Sequence, residues 1–356
     1  MATGGRRDDA ALGEGIGRFT AEHPELVPRP AGAPGDGPFV VRSLRHAEGG
    51  MANETLLVDL GPDHPGLAVR LPPLAPTFPS YDLAPQAAVQ NAAAAAGVPA
   101  PAPALVVDDP EWIGCPFLLM PRVHGDIAGP APLFDPYVTG ATPAQRQRLH
   151  DGLVDTMVAV HAVPWLEYDL GSRLPATSLR ATFNHWASYV EWASEGDPLP
   201  ALAEALEWCD RTLPAAREAG EVEDGGGGGD GTVLLWGDVR LGNLVFDPAR
   251  RVVAVLDWDL TALGPRELDL GWHFGLEFMM ERLFGGRVAG FPEKDEAIAR
   301  YETRSGHTVT DLEWHEVFAL VRALAINDRH QRITGDTRRR NNPMGAVLRA
   351  RLETAG

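Results

Sequence analysis

The chain reads as an α+β protein with a bilobal layout: a small β-rich N-terminal lobe and a larger, mostly helical C-terminal lobe. Two observations carry that reading. Short runs of β-type residues fill the first third, Phe39 to Leu44, Thr55 to Leu60 and Leu67 to Leu71, followed by Ala104 to Val107 and Phe117 to Met120. From Pro143 onward apolar residues recur at three- and four-residue steps, as in Leu149, Leu153, Met157 and Val160, which is the period of a helix. At 356 residues there is room for two domains with sizeable cores.

The first dozen residues are polar and expected to be loose, Gly15 to Glu22 suits a short helix, and Val27 to Pro38 is a proline-rich connector, so residues 1–38 read as an extension. Residues 39–123 form the β-rich lobe with one alanine-rich helix, Pro85 to Ala96, ended by Gly97 with Pro99 beyond it. Residues 124–356 are the helical lobe: Gln145 to His161, Ser178 to Ala193, Leu199 to Ala219, Asp269 to Phe284, Lys294 to Ser305 and Asp311 to Thr334. The glycine run from Asp224 to Asp230 is expected to be a flexible loop, since no phosphate-loop lysine follows it.

Composition excludes several function classes. A net charge of −18 argues against a nucleic-acid partner, because phosphate backbones are held by clustered Lys and Arg. The acidic surface suits solubility more readily than cationic substrates. Arg338-Arg339-Arg340 reads as a solvated helix end. Cys115 and Cys209 stand far apart without metal-ligand spacing, which fits a reducing cytoplasm. No signal-type leader and no 18-residue apolar run is present, so no membrane partner is expected.

The chemistry concentrates in Trp236 to Asp259, WGDVRLGNLVFDPARRVVAVLDWD. Asp238, Asn243 and Asp257 are polar residues in an otherwise apolar, strand-like setting. Asp238-Val-Arg-Leu-Gly-Asn243 reproduces the D-x-x-x-x-N step of kinase catalytic loops. Leu244 to Phe246, a turn over Asp247 to Arg250, and Val252 to Leu256 then form a hairpin that brings Asn243 and Asp257 side by side. One amide oxygen and a carboxylate are hard ligands of the type Mg²⁺ takes, with a further carboxylate left for the attacking hydroxyl. Turn-forming Asp and Asn would also account for the five-residue step taken alone.

With its elements in this order, the chain resembles the aminoglycoside phosphotransferase family, small-molecule kinases with a protein-kinase-like fold. The resemblance runs from about Phe39 to Thr334. It is strongest over WGDVRLGN, VLDWD and the following ALGPRELDLGW. The family more often has His before Gly-Asp and Asp-Trp-Glu in the second motif, so Trp236 and Asp259 are departures.

The resemblance implies ATP and Mg²⁺ as cofactors. It makes Asp238 the catalytic carboxylate, Asn243 and Asp257 the metal ligands, and Asp259 a residue near the metal or the acceptor. Arg240 would neutralise phosphate charge or pin the loop through Asp269 or another acid. Asp269 would steady the catalytic loop, and its place before a helix suits an N-cap. Gly49, Gly50 and Asn53 lie at the family's nucleotide-covering turn, although a Gly-Gly turn suits any hairpin. Arg70 occupies the place of the strand lysine that grips phosphates. Its expected glutamate partner is replaced by Gln86, which offers a hydrogen bond but no charge. Met120, Pro121 and Val123 fall at the inter-lobe hinge near 120–124, where the Pro121 carbonyl and the Val123 N–H suit the edge of adenine.

Other residues have plainer readings. His161 on an apolar face reads as a core histidine. Trp186, Trp192 and Trp208 read mainly as core, with one or two available to line an acceptor pocket.

The expected activity is O-phosphorylation of a small hydroxylated molecule. An antibiotic is one candidate acceptor. A hydroxyacyl thioester, a sugar, choline or a homoserine-like metabolite is the alternative, and a nucleotide-binding pseudokinase is the second alternative. Glu191, Glu195, Asp328 and Asp336 would serve a cationic acceptor, or are solvated.

Overall fold

The computed structural model describes residues 7–29, 39–47, 53–174, 178–215 and 231–355. Gly49 and Gly50, most of the proline-rich connector and the glycine run fall outside the described residues. The chain divides into two compact units, Met1–Ala95 with Pro99–His124, and Ala96–Val98 with Gly125–Gly356.

The first unit holds helix α1 (Asp9–Glu22), strands β1 (Ser43–His46), β2 (Glu54–Asp59) and β3 (Leu67–Leu71), helix α2 (Leu83–Ala95), and strands β4 (Leu105–Val107) and β5 (Phe117–Pro121). The strands form one antiparallel sheet in the order β1-β2-β3-β5-β4. Because strand side chains alternate between faces, the sheet presents two apolar surfaces. Leu67, Val69, Leu71, Phe117 and Leu119 pack with Leu12, Ile16 and Phe19 of α1. Leu118 and Met120 pack with Leu83 and Ala87 of α2 and with Ala104.

Arg70 is paired in register with Leu118 and alternates with Val69 and Leu71, which places it on the α2 face. Helix α1 begins earlier than its composition suggests, because the Asp8 side chain caps it by accepting from the N–H groups of Ala10 and Ala11.

The second unit opens with the short strand β6 (Asp126–Ile127) and helices α3 (Pro136–Thr139), α4 (Pro143–His161), α5 (Leu179–Ser194) and α6 (Pro200–Arg211). Strands β7 (Val233–Leu235), β8 (Leu244–Phe246), β9 (Val252–Val255) and β10 (Ala262–Gly264) follow, and then helices α7 (Glu267–Phe284), α8 (Lys294–Ser305), α9 (Leu312–Thr334) and α10 (Pro343–Thr354). Strands β6, β8 and β9 make one small antiparallel sheet, and β7 pairs with β10 in another.

Helix α4 starts at a capping box in which Thr142 and Gln145 exchange hydrogen bonds, with Pro143 at the first helical position. Helices α7 and α9 approach closely at Gly271, where an added Cβ would lie 2.5 Å from Cβ of His315. Helix α6 ends at Arg211, well before Ala219. The Arg338-Arg339-Arg340 cluster is not simply solvated. Arg339 is buried, with ion pairs of 2.9 Å to Asp328 and 2.7 Å to Asp197, while Arg338 remains exposed beside Asp336. No helix among the described residues is long and apolar enough to cross a membrane.

Ile16 of α1 is fully buried against the sheet. Ile16→Ala is therefore expected to cost about 2–5 kcal/mol, read as a lower urea midpoint for the first unit, and an unchanged midpoint would refute the packing described for α1.

Candidate active site

The segment between β7 and β8 carries the candidate catalytic loop, and its shape follows from a tight turn at Gly237. That residue has φ +89°, and a Cβ there would lie 2.1 Å from the Leu260 carbonyl oxygen. Only glycine tolerates both conditions.

The turn aims two successive backbone N–H groups at one buried side chain. Trp236 N–H donates to Asp269 Oδ2 at 2.8 Å and Gly237 N–H to Oδ1 at 2.9 Å. His161 Nε2 lies 3.1 Å from the same Oδ2, and its Nδ1 lies 2.7 Å from the Tyr301 hydroxyl. These partners assign the tautomer: Tyr301 O–H donates to Nδ1 and Nε2–H donates to the carboxylate. Burial pushes the Tyr301 hydroxyl well above its ordinary pKa, so it stays a neutral donor.

Asp269 thus steadies the loop, as the family resemblance implies, though not from an N-cap. Helix α7 starts at Glu267 with Arg266 at the cap, and Asp269 lies inside the first turn, 1% exposed. His161 is the buried core histidine expected from the sequence.

Beyond the turn, Asp238 receives three side-chain hydrogen bonds. Trp272 Nε1 donates to Oδ1 at 2.9 Å, and Arg240 Nε and Asn243 Nδ2 donate to Oδ2 at 2.8 and 2.7 Å. Arg240 therefore pins the loop through Asp238 and not through Asp269. Burial works against its charge, but Asp238 and then Asp257 outweigh that and hold the guanidinium above its ordinary pKa.

Asn243 Nδ2 also donates to the Asp238 carbonyl at 2.9 Å. With its amide nitrogen committed on this side, Oδ1 is the Asn243 atom suited to a cation. The hairpin then does what its sequence promised. Leu244 pairs with Val255, and Leu256 N–H donates to the Asn243 carbonyl at 2.8 Å, so Asn243 lies beside the backbone that leads into Asp257. Asp257 has φ +60°, a left-handed conformation that costs a non-glycine residue about 1–3 kcal/mol and is often found at functional positions.

The departure at Trp236 has a structural reason. Its ring is fully buried and its Nε1 donates to the Leu256 carbonyl at 2.9 Å, which ties the loop to the residue preceding Asp257. Asp259 is partly buried two residues further on. Asn243 and Asp257 offer an amide oxygen and a carboxylate, ligand types that Mg²⁺ takes.

Sequence reasoning missed two neighbours of this loop. Trp272 lies one turn past Asp269 on α7, a position that helical spacing makes accessible to the same loop. Arg322 on α9 is 5% exposed, with its guanidinium carbon 4.7 Å from the ring centroids of both Trp186 and Trp272. Its Nε has no hydrogen-bond partner among the described residues. Burial pushes its pKa down to about 10, against the pull of Asp269 and Asp238, so it is charged at neutral pH. Nothing in the sequence around Arg322 marks it, because its importance comes from two helices distant in the chain. Trp186 is buried as core, whereas Trp192 and Trp208 are half-buried.

The acids nominated for a cationic acceptor are mostly engaged. Asp328 pairs with Arg339 at 2.9 Å and with Arg332 at 3.3 Å, Glu195 with Arg329 at 2.7 Å, and Asp336 with Arg338 at 2.8 Å, while Glu191 is exposed.

In the first unit, Arg70 and Gln86 are both buried, at 9% and 8% exposure. The hydrogen bond anticipated from Arg70 to Gln86 is not formed, since Gln86 Oε1 has no partner among the described residues. Asn53 is buried just before β2. Met120 is buried on the α2 face and takes a 3.4 Å contact from Gln90 Nε2, and Pro121 ends β5 opposite Leu67. Val123 is half-buried.

The model of the phosphotransferase enzyme family, APH, matches residues 43–340. Acyl-CoA dehydrogenase family member 11 of Pongo abelii is 29% identical over 242 residues, covering 65% of this chain and 29% of the relative. The chain thus spans less than a third of the length of that curated relative. Among solved structures, a provisional aminoglycoside phosphotransferase of Ralstonia eutropha JMP134 superposes with a TM-score of 0.69 at 24% identity, covering 98% of this chain and 99% of the other. A spectinomycin phosphotransferase, APH(9)-Ia, in complex with ADP and spectinomycin, gives a TM-score of 0.51 at 13% identity, over 89% of this chain and 93% of the other. At these identities both likenesses establish an α+β kinase-like fold.

Gly237→Ala is expected to lower the melting temperature by several degrees and to change the near-UV signal of the buried tryptophans, because the turn cannot close around a Cβ. A melting curve and spectrum like the wild type would refute the geometry given for this turn.

Proposed function

The chain belongs to the phosphotransferase enzyme (APH) family, and on that premise we propose that it transfers the γ-phosphoryl group of ATP to the hydroxyl of an anionic or neutral metabolite, with a hydroxyacyl thioester the favoured class. Asp238 orients the acceptor hydroxyl and takes its proton, its carboxylate being held by Trp272, Arg240 and Asn243. Asn243 and Asp257 would hold Mg²⁺, which when bound neutralises phosphate charge and orients the phosphates. Arg240, charged and partly exposed, offsets the negative charge that builds near Asp238 during transfer. Nucleotide binding is assigned to the first unit, with Arg70, Asn53, Gly49 and Gly50 for the phosphates, and Met120, Pro121 and Val123 for the base. The ADP held by the spectinomycin enzyme supports ATP as the donor.

The observation that carries the choice of acceptor is Arg322. A buried guanidinium that is charged at neutral pH under the influence of Asp269 and Asp238 repels a polycationic aminoglycoside and attracts a carboxylate, phosphate or thioester carbonyl. Three of the four acids nominated for a cationic acceptor, Glu195, Asp328 and Asp336, are already paired with arginines. The acyl-CoA name of the curated relative favours the same metabolite class. A pseudokinase has no use for a carboxylate fixed by three donors beside an oxygen-rich ligand set, so catalysis is the preferred reading.

The test is a panel of 3- and 4-hydroxyacyl thioesters, aminoglycosides, choline and sugars, incubated with ATP and Mg²⁺ and read by mass spectrometry for added phosphate. Phosphorylation of a hydroxyacyl thioester, lost roughly 10²–10⁴-fold in Asp238→Asn, is the expected result. Arg322→Met should raise KM for that acceptor at least about tenfold while leaving KM for ATP unchanged. Phosphorylation of aminoglycosides alone would overturn the acceptor assignment, and full activity in Asp238→Asn would overturn the mechanism.

A further inference from the structure

Away from the loop, helices α4 and α7 bring together three side chains that the phosphotransferase chemistry does not use. His150 of α4 is 1% exposed and His273 of α7 is 5% exposed. Glu277, one helical turn beyond His273, projects from the same face of α7 and is 25% exposed at its side chain. The Nε2 atoms of the two histidines are 3.3 Å apart, and Glu277 Oε1 lies 3.5 Å from His150 Nε2 and 3.9 Å from His273 Nε2.

We propose that His150, His273 and Glu277 form a zinc site that clamps α4 to α7. Ligand atoms about 2.0–2.2 Å from a tetrahedral zinc are separated by about 3.4 Å. Two of the three separations match that value, and the third is slightly wide. All three candidate ligand atoms lie within 4.8 Å of one another, and two imidazoles with one carboxylate are a donor set zinc accepts. The fourth position falls to water, and the partial exposure of Glu277 gives it a route to solvent.

The alternative is a metal-free hydrogen-bonded cluster. In that state the two imidazoles and the carboxylate would have to bond across separations of 3.3–3.9 Å, long for hydrogen bonds, while His150 Nδ1 is buried with no partner among the described residues whether or not an ion is bound. The nearby cation Arg287 is already engaged by Glu293 and the Pro292 carbonyl. A bound ion would fasten the same two helices that meet again at His161 and Asp269, and so would stiffen the support of the catalytic loop.

The experiment uses full-length protein without a polyhistidine tag, equilibrated with zinc sulfate in excess Mg²⁺, desalted, and assayed for metal by inductively coupled plasma mass spectrometry. About one zinc per chain is expected, with a melting temperature raised by zinc and lowered again by chelator, and a cobalt-substituted form with the visible absorption of a tetrahedral site. Glu277→Gln and His273→Gln should each lose most of the metal, whereas Asp238→Asn should keep it. Wild-type protein that retains no zinc and gains no thermal stability from it would overturn the proposal even if the variants fail to fold. So would zinc retained equally by Glu277→Gln and His273→Gln, or lost in Asp238→Asn.

Discussion

The loop's geometry rests on one buried carboxylate. Asp269 accepts from two consecutive backbone N–H groups and from His161, and together those bonds join separate parts of the second unit. The two amides set the turn that presents Asp238. The imidazole links that turn to α4, and Tyr301 extends the chain of contacts to α8. A carboxylate at 1% exposure is costly to desolvate unless its lone pairs are met. Three donors meet them here, and the charge of Arg322 adds to the balance. The same satisfaction that makes the burial tolerable makes the loop a single conformation.

Asp238 follows the same logic one step closer to solvent. Trp272 and Asn243 fix its two oxygens while Arg240 supplies charge. Asn243 works in both directions, its nitrogen on Asp238 and its oxygen available to a cation. The left-handed Asp257 is the local strain this arrangement carries, placed just beyond the end of β9. Arg322 couples the two carboxylates electrostatically and is stacked between tryptophans of α5 and α7. Trp272, which donates to Asp238, is thus also in contact with Arg322.

How much of this was legible in the sequence depended on distance along the chain. The Asp238 to Asn243 step, the hairpin into Asp257 and the strands β3 and β5 are local patterns, and each appears in the structure with nearly the anticipated boundaries. Asp269 was recognised as a partner of the loop through resemblance. Its placement as an N-cap was wrong, because helix α7 starts two residues earlier and the side chain turns inward from the first turn. The Asp8 cap that extends α1 is short-range chemistry overshadowed by a loose-looking, glycine-rich start. Arg322 between Trp186 and Trp272, Arg339 on Asp328, and the His150, His273 and Glu277 cluster were not legible, since each joins helices far apart in sequence and none belongs to a recurring motif. Gln86 was placed correctly on α2, but its hydrogen bonding depends on side-chain positions that no sequence pattern specifies.

The central claim is that the Asp269 carboxylate holds the loop through the Trp236 and Gly237 amides. Residue-resolved hydrogen exchange on Asp269→Asn tests it most directly, since asparagine offers a single acceptor oxygen where two are needed. Exchange at those two amides should accelerate roughly 10–100-fold, matching the loss of about 1.5–3 kcal/mol for a charged hydrogen bond, while the β2–β3 amides of the first unit exchange as before. Unchanged protection at Trp236 and Gly237, or an equal acceleration across both units, would contradict the account.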